Sequence, residues 1–210
     1  MPKGSPERTA ARREEIINAC EKLYQTMSFK DITLKEIGSE TSFSRPAIYN
    51  YFQTKEEIFL ALYQREYERW NEDLEKILND NEHLSREQIA DQIAHSLEKR
   101  EQLLKLLAMN NYDMETNSRP EYLTEFKKAY GRSIENVRNI LHKFCPDMNM
   151  PEQQRIIYVF FPFMFGIYPY TNVTDKQKTA MEEAEVNYVY LTIYEITFSC
   201  LSRLLNTDNR

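Results

Sequence analysis

Residues 33–63, TLKEIGSETSFSRPAIYNYFQTKEEIFLALY, decide how this 210-residue chain folds. Thr33 and Glu36 stand three apart ahead of the apolar pair Leu34 and Ile37. That is the spacing of a capping box, in which the hydroxyl accepts an amide hydrogen three residues on and the carboxylate reaches back. Thr54 and Glu57 repeat the pattern further along. Between the two boxes, Ser44 is a good N-cap and Pro46 falls in a first helical turn, where it forfeits no intrahelical hydrogen bond. Phe43 and Ile48 have the spacing of a hydrophobic staple. The stretch predicts two short helices across a tight turn, an aromatic link Tyr49-Asn50-Tyr51-Phe52, and a third helix opened by Lys55. This is the layout of a helix-turn-helix.

At about 100° per residue, the second short helix turns Ile48 and Phe52 to one buried face. Pro46 and Asn50 then point away, with Ala47 and Tyr49 on the flanks. A small rigid apolar edge, an amide and a phenol suit the DNA major groove: Asn pairs bidentately with adenine, and Pro or Ala touches a thymine methyl. Arg45, at the helix N-terminus, reaches a guanine edge or a phosphate. Lys55 opposes its own helix dipole but lies beside free backbone amides that attract anions, which suits a DNA phosphate. Gly38 costs its helix roughly 0.5–1 kcal/mol relative to Ala, so it implies crowding at the helix crossing. Upstream, Ile16, Cys20, Leu23 and Met27 form an apolar stripe that predicts a helix over residues 9–27. Arg8, Arg12 and Arg13 on that helix read equally well as phosphate contacts or as a solvated cluster.

Composition limits the alternatives. With 4 Gly, 8 Pro and few runs of period-two alternation, the chain is expected to be all-α. Three scattered cysteines (Cys20, Cys145, Cys200) suggest neither a disulfide framework nor a zinc site, and fit a reducing cytosol. The first residues have no apolar core and do not read as a secretory signal. Residues 156–168, IIYVFFPFMFGIY, are too few to span a bilayer. A cytoplasmic bacterial protein, with no membrane partner and no cofactor, is expected. Net charge is −6, but residues 1–55 carry nine Lys/Arg against seven Asp/Glu (+2), and residues 56–210 carry eighteen against twenty-six (−8). Phosphate attraction is screened beyond about 8–10 Å, so an acidic body is compatible with a basic head.

The run ITLKEIGSETSFSRPAIYNYFQTKEEIF closely resembles the DNA-binding domain of the tetracycline-repressor (TetR) family of bacterial transcription regulators. The resemblance covers residues 9–70, and its most specific part is Ile48-Tyr49-Asn50-Tyr51-Phe52 followed by Lys55. It implies a flexible arm over residues 1–8, a helix-turn-helix DNA-binding domain over 9–55 (the motif itself at 33–52), and a helical effector-binding and dimerisation domain over 56–210. Arg45, Pro46, Ala47, Tyr49 and Asn50 match positions that contact bases or phosphates, with Ser44 at their head; Thr33, Tyr51 and Lys55 match backbone-contacting positions. Thr41-Ser42 departs from the family's usual Ala then Gly, and Gly38 stands where Ala is usual. Ser42 is therefore expected in a strained left-handed conformation.

The remaining two thirds are less specific. Helices are expected over 55–78, 85–111, 120–144, 152–168 with a kink at Pro162, 174–185 and 188–205. By the resemblance, the last two long helices pair with those of a second copy. Met109, Tyr112, Phe126, Tyr130, Phe163, Met164 and Tyr168 supply flexible and aromatic walls suited to an apolar or aromatic effector. His83, His95 and His142 form no metal-ligand pattern, and no catalytic or phosphate-loop signature appears, so an enzyme is not expected. The reading is a homodimeric, ligand-responsive repressor on a palindromic operator. Its rivals are a ligand-independent activator and a helical scaffold that has lost DNA binding.

Overall fold

In a computed structural model the described residues are 5–109 and 111–206, and among them the chain is all-α, with eleven helices and no strand. They divide into two compact units, residues 1–65 with 110–128 and residues 66–109 with 129–210. The boundary differs from the one expected at 55/56. The first unit keeps the opening of the fourth helix and includes a later segment.

In the first unit, α1 (Pro6–Thr26) starts earlier than expected. Ser5 caps it by accepting the Arg8 amide, and Pro6 fills its first position. Of the expected arm, residues 1–4 lie outside the described residues, while 6–8 are helical. The buried face of α1 is Ile16, Ile17, Cys20 and Tyr24, so Tyr24 takes the inward place expected of Leu23. Phe59 receives the edges of Tyr24 and Phe29 at 5.2 and 4.8 Å. Burial pushes the Cys20 thiol far above its ordinary range. α2 (Leu34–Ser39) and α3 (Arg45–Ile48) follow, each too short to persist alone. They are held by Ile37, Ile48 and Phe52, all without solvent exposure. Gly38 answers to the crowding expected of it, because a Cβ there would stand 3.3 Å from the Arg45 Cβ.

α4 (Lys55–Asp80) begins in the first unit, where Arg65 bonds Glu14, Asn18 and Glu21 on α1. After α7 (Asn111–Thr116), residues 117–126 belong with the same unit. Phe126 packs against Tyr63 with ring centroids 4.6 Å apart and the planes tilted by 37°. Arg119 donates its Nε, an Nη and its backbone amide to Glu57 at 2.7, 2.9 and 3.2 Å.

The second unit contains the rest of α4, α5 (Arg86–Glu98), α6 (Glu101–Leu107), most of α8 (Pro120–Phe144), α9 (Met150–Thr171), α10 (Asp175–Glu183) and α11 (Ile193–Leu205). Trp70 is fully buried and its indole donates to Ser96 at 2.9 Å. The helix expected over 85–111 is interrupted at Lys99 and Arg100. Arg100 leaves helical geometry (φ −117°, ψ 40°) and its guanidinium grips Asp73 at 2.5–2.7 Å. α9 runs unbroken through Pro162 and Pro169, and α11 packs on α5 and α9. Among the described residues no single helix is long and apolar enough to cross a membrane.

α11 starts five residues later than expected, where Thr192 and Glu195 form a capping box; residues 186–192 are not helical. α10 ends in a Schellman motif, with Val186 N–H on Met181 C=O and Glu185 N–H on Glu182 C=O, both at 3.0 Å. The motif needs a left-handed residue, and Glu185 supplies it at φ 54°, the one positive φ among the described non-glycine residues.

Two expectations follow. Glu185→Gly removes the Cβ penalty of the left-handed region and should strengthen this cap by about 0.5–1 kcal/mol; slower amide exchange at Val186 would register it, and faster exchange would contradict it. Glu57→Gln should destabilise the protein at neutral pH by about 1–3 kcal/mol. Burial alone would raise the Glu57 carboxyl, but the Arg119 guanidinium and the amides of Gln53 and Arg119 outweigh it and hold it below the usual range. A carboxyl depressed in the folded state contributes fully above its unfolded value, about 4.3. That contribution fades as pH falls through the lower, folded value. Melting temperatures of wild type and variant should therefore differ at pH 7 and converge only as pH falls below the folded value, itself under about 4.3; a gap independent of pH would refute this.

Candidate nucleic-acid interface

The turn between α2 and α3 is closed by side chains. Thr41 Oγ1 lies 3.0 Å from the carbonyls of both Gly38 and Phe43, and the Ser42 amide donates to the Glu15 carboxylate. That amide, followed by the Ser42 hydroxyl, draws the Glu15 carboxyl below its ordinary range. With its N–H satisfied this way, Ser42 has no positive φ, so the left-handed strain expected from Thr41-Ser42 is absent.

Ser44 caps α3 through its carbonyl, which accepts the Ala47 amide at 2.8 Å, and its hydroxyl makes no cap bond. Ile48 and Phe52 are at 0% exposure and Tyr49 at 48%, with Arg45, Pro46 and Asn50 exposed and Ala47 half-buried. The two faces of the short helix thus fall where the periodicity placed them. Arg45 Nη2 lies 3.3 Å from the Tyr49 hydroxyl, linking an exposed cation and a phenol. Tyr51 faces sideways, its ring 6.4 Å from Phe43 and its hydroxyl 3.4 Å from Arg12 Nη1.

Two of the expected backbone contacts are arranged differently. Thr33 does cap α2, but it accepts the Lys35 amide, two residues on, and Glu36 bonds the Thr33 hydroxyl rather than its amide. Lys55 does not point outward: its ammonium donates to the Phe29 and Ile32 carbonyls at 2.7 and 3.0 Å and sits 4.2 Å over the Phe29 ring. Those carbonyls lie in the link after α1. Two of the three lysine donors are therefore committed inside the unit.

The structure also separates the three early arginines. Arg13 turns inward, 4.7 Å over Phe52 and 5.2 Å over Tyr122, and donates to the Tyr122 hydroxyl at 2.9 Å. Arg12 stays at the rim beside Tyr51 and Phe43, and Arg8 is exposed. Sequence reasoning missed the group behind the interface. Glu57 was expected to reach the Thr54 amide; it accepts the Gln53 amide at 2.7 Å and the Arg119 fork instead. Thr54 meanwhile accepts the Glu57 amide and donates to the Asn117 carbonyl at 2.9 Å.

The residues expected to line an effector pocket are not gathered within one unit. Tyr112 is 81% exposed, and Phe126 is packed on Tyr63 in the first unit. In the second unit Met164 is fully buried, Met109, Phe163 and Tyr168 are half-buried, and Tyr130 lies edge-on to Tyr67 and Phe161, both at 5.6 Å. Burial raises the Tyr130 and Tyr168 phenols above their ordinary range. Two concavities of that unit, about 330 Å³ beside Asp73, Lys76, Gln92 and His95 and about 280 Å³ beside Glu101, Asn172 and Thr192, contain none of the expected residues.

Comparison with known proteins places this geometry. Residues 16–62 match the family described as "Bacterial regulatory proteins, tetR family", and residues 64–197 match "Tetracyclin repressor-like, C-terminal domain". The chain is 30% identical over 69 residues to an HTH-type transcriptional repressor of Mycobacterium tuberculosis, Rv1474c, covering 33% of this chain and 37% of that one. It is 31% identical over 84 residues to the HTH-type regulator YfiR of Bacillus subtilis, covering 40% of each. These matches span about two-fifths of the curated relatives' length. Among solved structures, FadR of Bacillus subtilis in complex with stearoyl-CoA is 15% identical, with TM-score 0.60 and coverage of 93% of this chain and 99% of that one. Thermus thermophilus FadR in complex with lauroyl-CoA is 17% identical, with TM-score 0.61 and coverage of 94% and 96%. At such identities the likeness shows the fold alone. The two family matches together cover most of the sequence, and the chain belongs to the tetR family of bacterial regulatory proteins.

Proposed function

We propose that this regulator is a ligand-responsive repressor that binds a near-palindromic operator as a homodimer, with α3 in the major groove. The observation that carries the reading is the division of α3. Ile48 and Phe52 are wholly buried while Arg45, Pro46, Tyr49 and Asn50 face outward from a backbone fixed at both ends. Asn50 is the adenine-reading amide, Pro46 and Ala47 the thymine-methyl edge, and Arg45 with Tyr49 the guanine or phosphate contact. Thr33, Ser44 and Tyr51 flank this surface as phosphate partners, and Lys55 can add only its third donor. Arg12 joins the phosphate contacts; Arg13 does not.

A second copy fits α9. Tyr158, Pro162, Phe165 and Pro169 are exposed at i, i+4, i+7 and i+11, with Val159 and Tyr170 beside them. An apolar stripe three turns long calls for a partner surface. The acyl-CoA complexes of the two FadR structures favour an apolar effector for the second unit here. Such an effector lowers operator affinity only by binding the released state more tightly than the DNA-bound one.

Selection of duplexes from random DNA, at two salt concentrations, tests the reading. A palindrome with half-sites about 34–36 Å apart and affinity falling steeply with salt is expected. Replacing Tyr49 and Asn50 together by Ala should weaken the selected duplex by roughly 10- to 100-fold or more. Undiminished binding by that variant would leave only a scaffold.

A further inference from the structure

α3 has four residues, so its orientation is imposed from outside. The end that would otherwise leave carbonyls unsatisfied is gripped by the corner at residues 117–122. The Tyr51 carbonyl accepts the Tyr122 hydroxyl at 2.5 Å and Arg119 Nη2 at 3.3 Å. Arg119 is itself fixed by its fork on Glu57, where α4 starts, and Asn117 takes the Thr54 hydroxyl. The Tyr122 ring lies 5.5 Å from Phe52, and Arg13 stacks against both. Every member of this cluster lies in the first unit, yet Arg119 and Tyr122 are far from the helix-turn-helix in sequence and belong to the part of the chain matched to the C-terminal family domain.

We infer that Arg119 and Tyr122 are positioning residues for the recognition helix: they touch no DNA and fix the tilt of α3 through the Tyr51 carbonyl. The first turn of α8 is then an input to operator affinity, and the point at which a shift of α8 reaches the recognition helix. This rests on the DNA-reading role proposed above.

The test uses the full chain and two probes: the duplex that wild type selects from random DNA, and a scrambled duplex of the same length and composition. Tyr122→Phe keeps the ring against Phe52 and Arg13 but deletes the donor to Tyr51, and with it the hydroxyl that accepts from Arg13 and Arg119. It should weaken the selected duplex by about 3- to 10-fold, through the lost grip on the Tyr51 carbonyl, and change the scrambled one by less than about 2-fold. The salt slope should be unchanged, since no phosphate contact is removed. Arg119→Lys, which keeps the charge and loses the fork, should lower the same ratio of selected to scrambled affinity. A merely structural role would weaken both duplexes alike, and that result overturns the inference, as does an unchanged ratio in both variants. Asn50→Ala is the control. If it binds the selected duplex like wild type, the DNA-reading role itself fails; if it loses binding while both positioning variants keep the wild-type ratio, the inference alone fails.

Discussion

A buried carboxylate with its own guanidinium organises the first unit. Glu57 has no solvent exposure, and a charge so placed is tolerable only with its lone pairs filled. Arg119 fills most of them, and the Gln53 amide takes another. Because the penalty for leaving such a carboxylate unpaired is large, residues 117–122 are bound to the start of α4 wherever the unit is folded. The planar fork sets orientation as well as proximity, which a lysine at 119 would not reproduce.

That constraint explains how so little helix can present a surface. α2 and α3 together have ten helical residues, and neither has the length to be stable alone. Their inner faces, Ile37, Ile48 and Phe52, are fully buried. Their ends are tied by groups from elsewhere in the unit: Glu15 at the turn, Lys55 behind α1, and Arg119 and Tyr122 at Tyr51. What is left outward is a rigid strip, and a rigid strip loses little entropy when it docks.

Local chemistry was legible in the sequence. Caps at Ser85 and Thr54, the inward turn of Ile48 and Phe52, and the crowding at Gly38 all follow from spacing within a few residues. Contacts across long separations were not. Glu57 and Arg119 are 62 apart; at its own place in the chain Glu57 looks like a capping-box partner of Thr54, and Arg119 like a solvated loop charge. Lys55 misled for a related reason: its position in a first turn suits a phosphate, but two carbonyls more than twenty residues upstream hold it. The left-handed residue expected at Ser42 is absent because Glu15, 27 residues away, closes the turn. In the second unit Arg100, at the break in the helix expected over 85–111, pairs with Asp73, which no periodicity in those residues could disclose.

If the ion pair and the Tyr51 carbonyl hold α3 in place, α3 and the first turn of α8 open together. Native-state hydrogen exchange reads this directly. The Tyr51 and Phe52 amides, both bonded to the Ile48 carbonyl, should exchange with the same opening free energy as those of Tyr122 and Leu123, bonded to Arg119, and all four should speed up together in Arg119→Lys. Free exchange at Tyr51 and Phe52 while the start of α8 stays protected would mean that α3 is held by its apolar face alone, and would contradict the account.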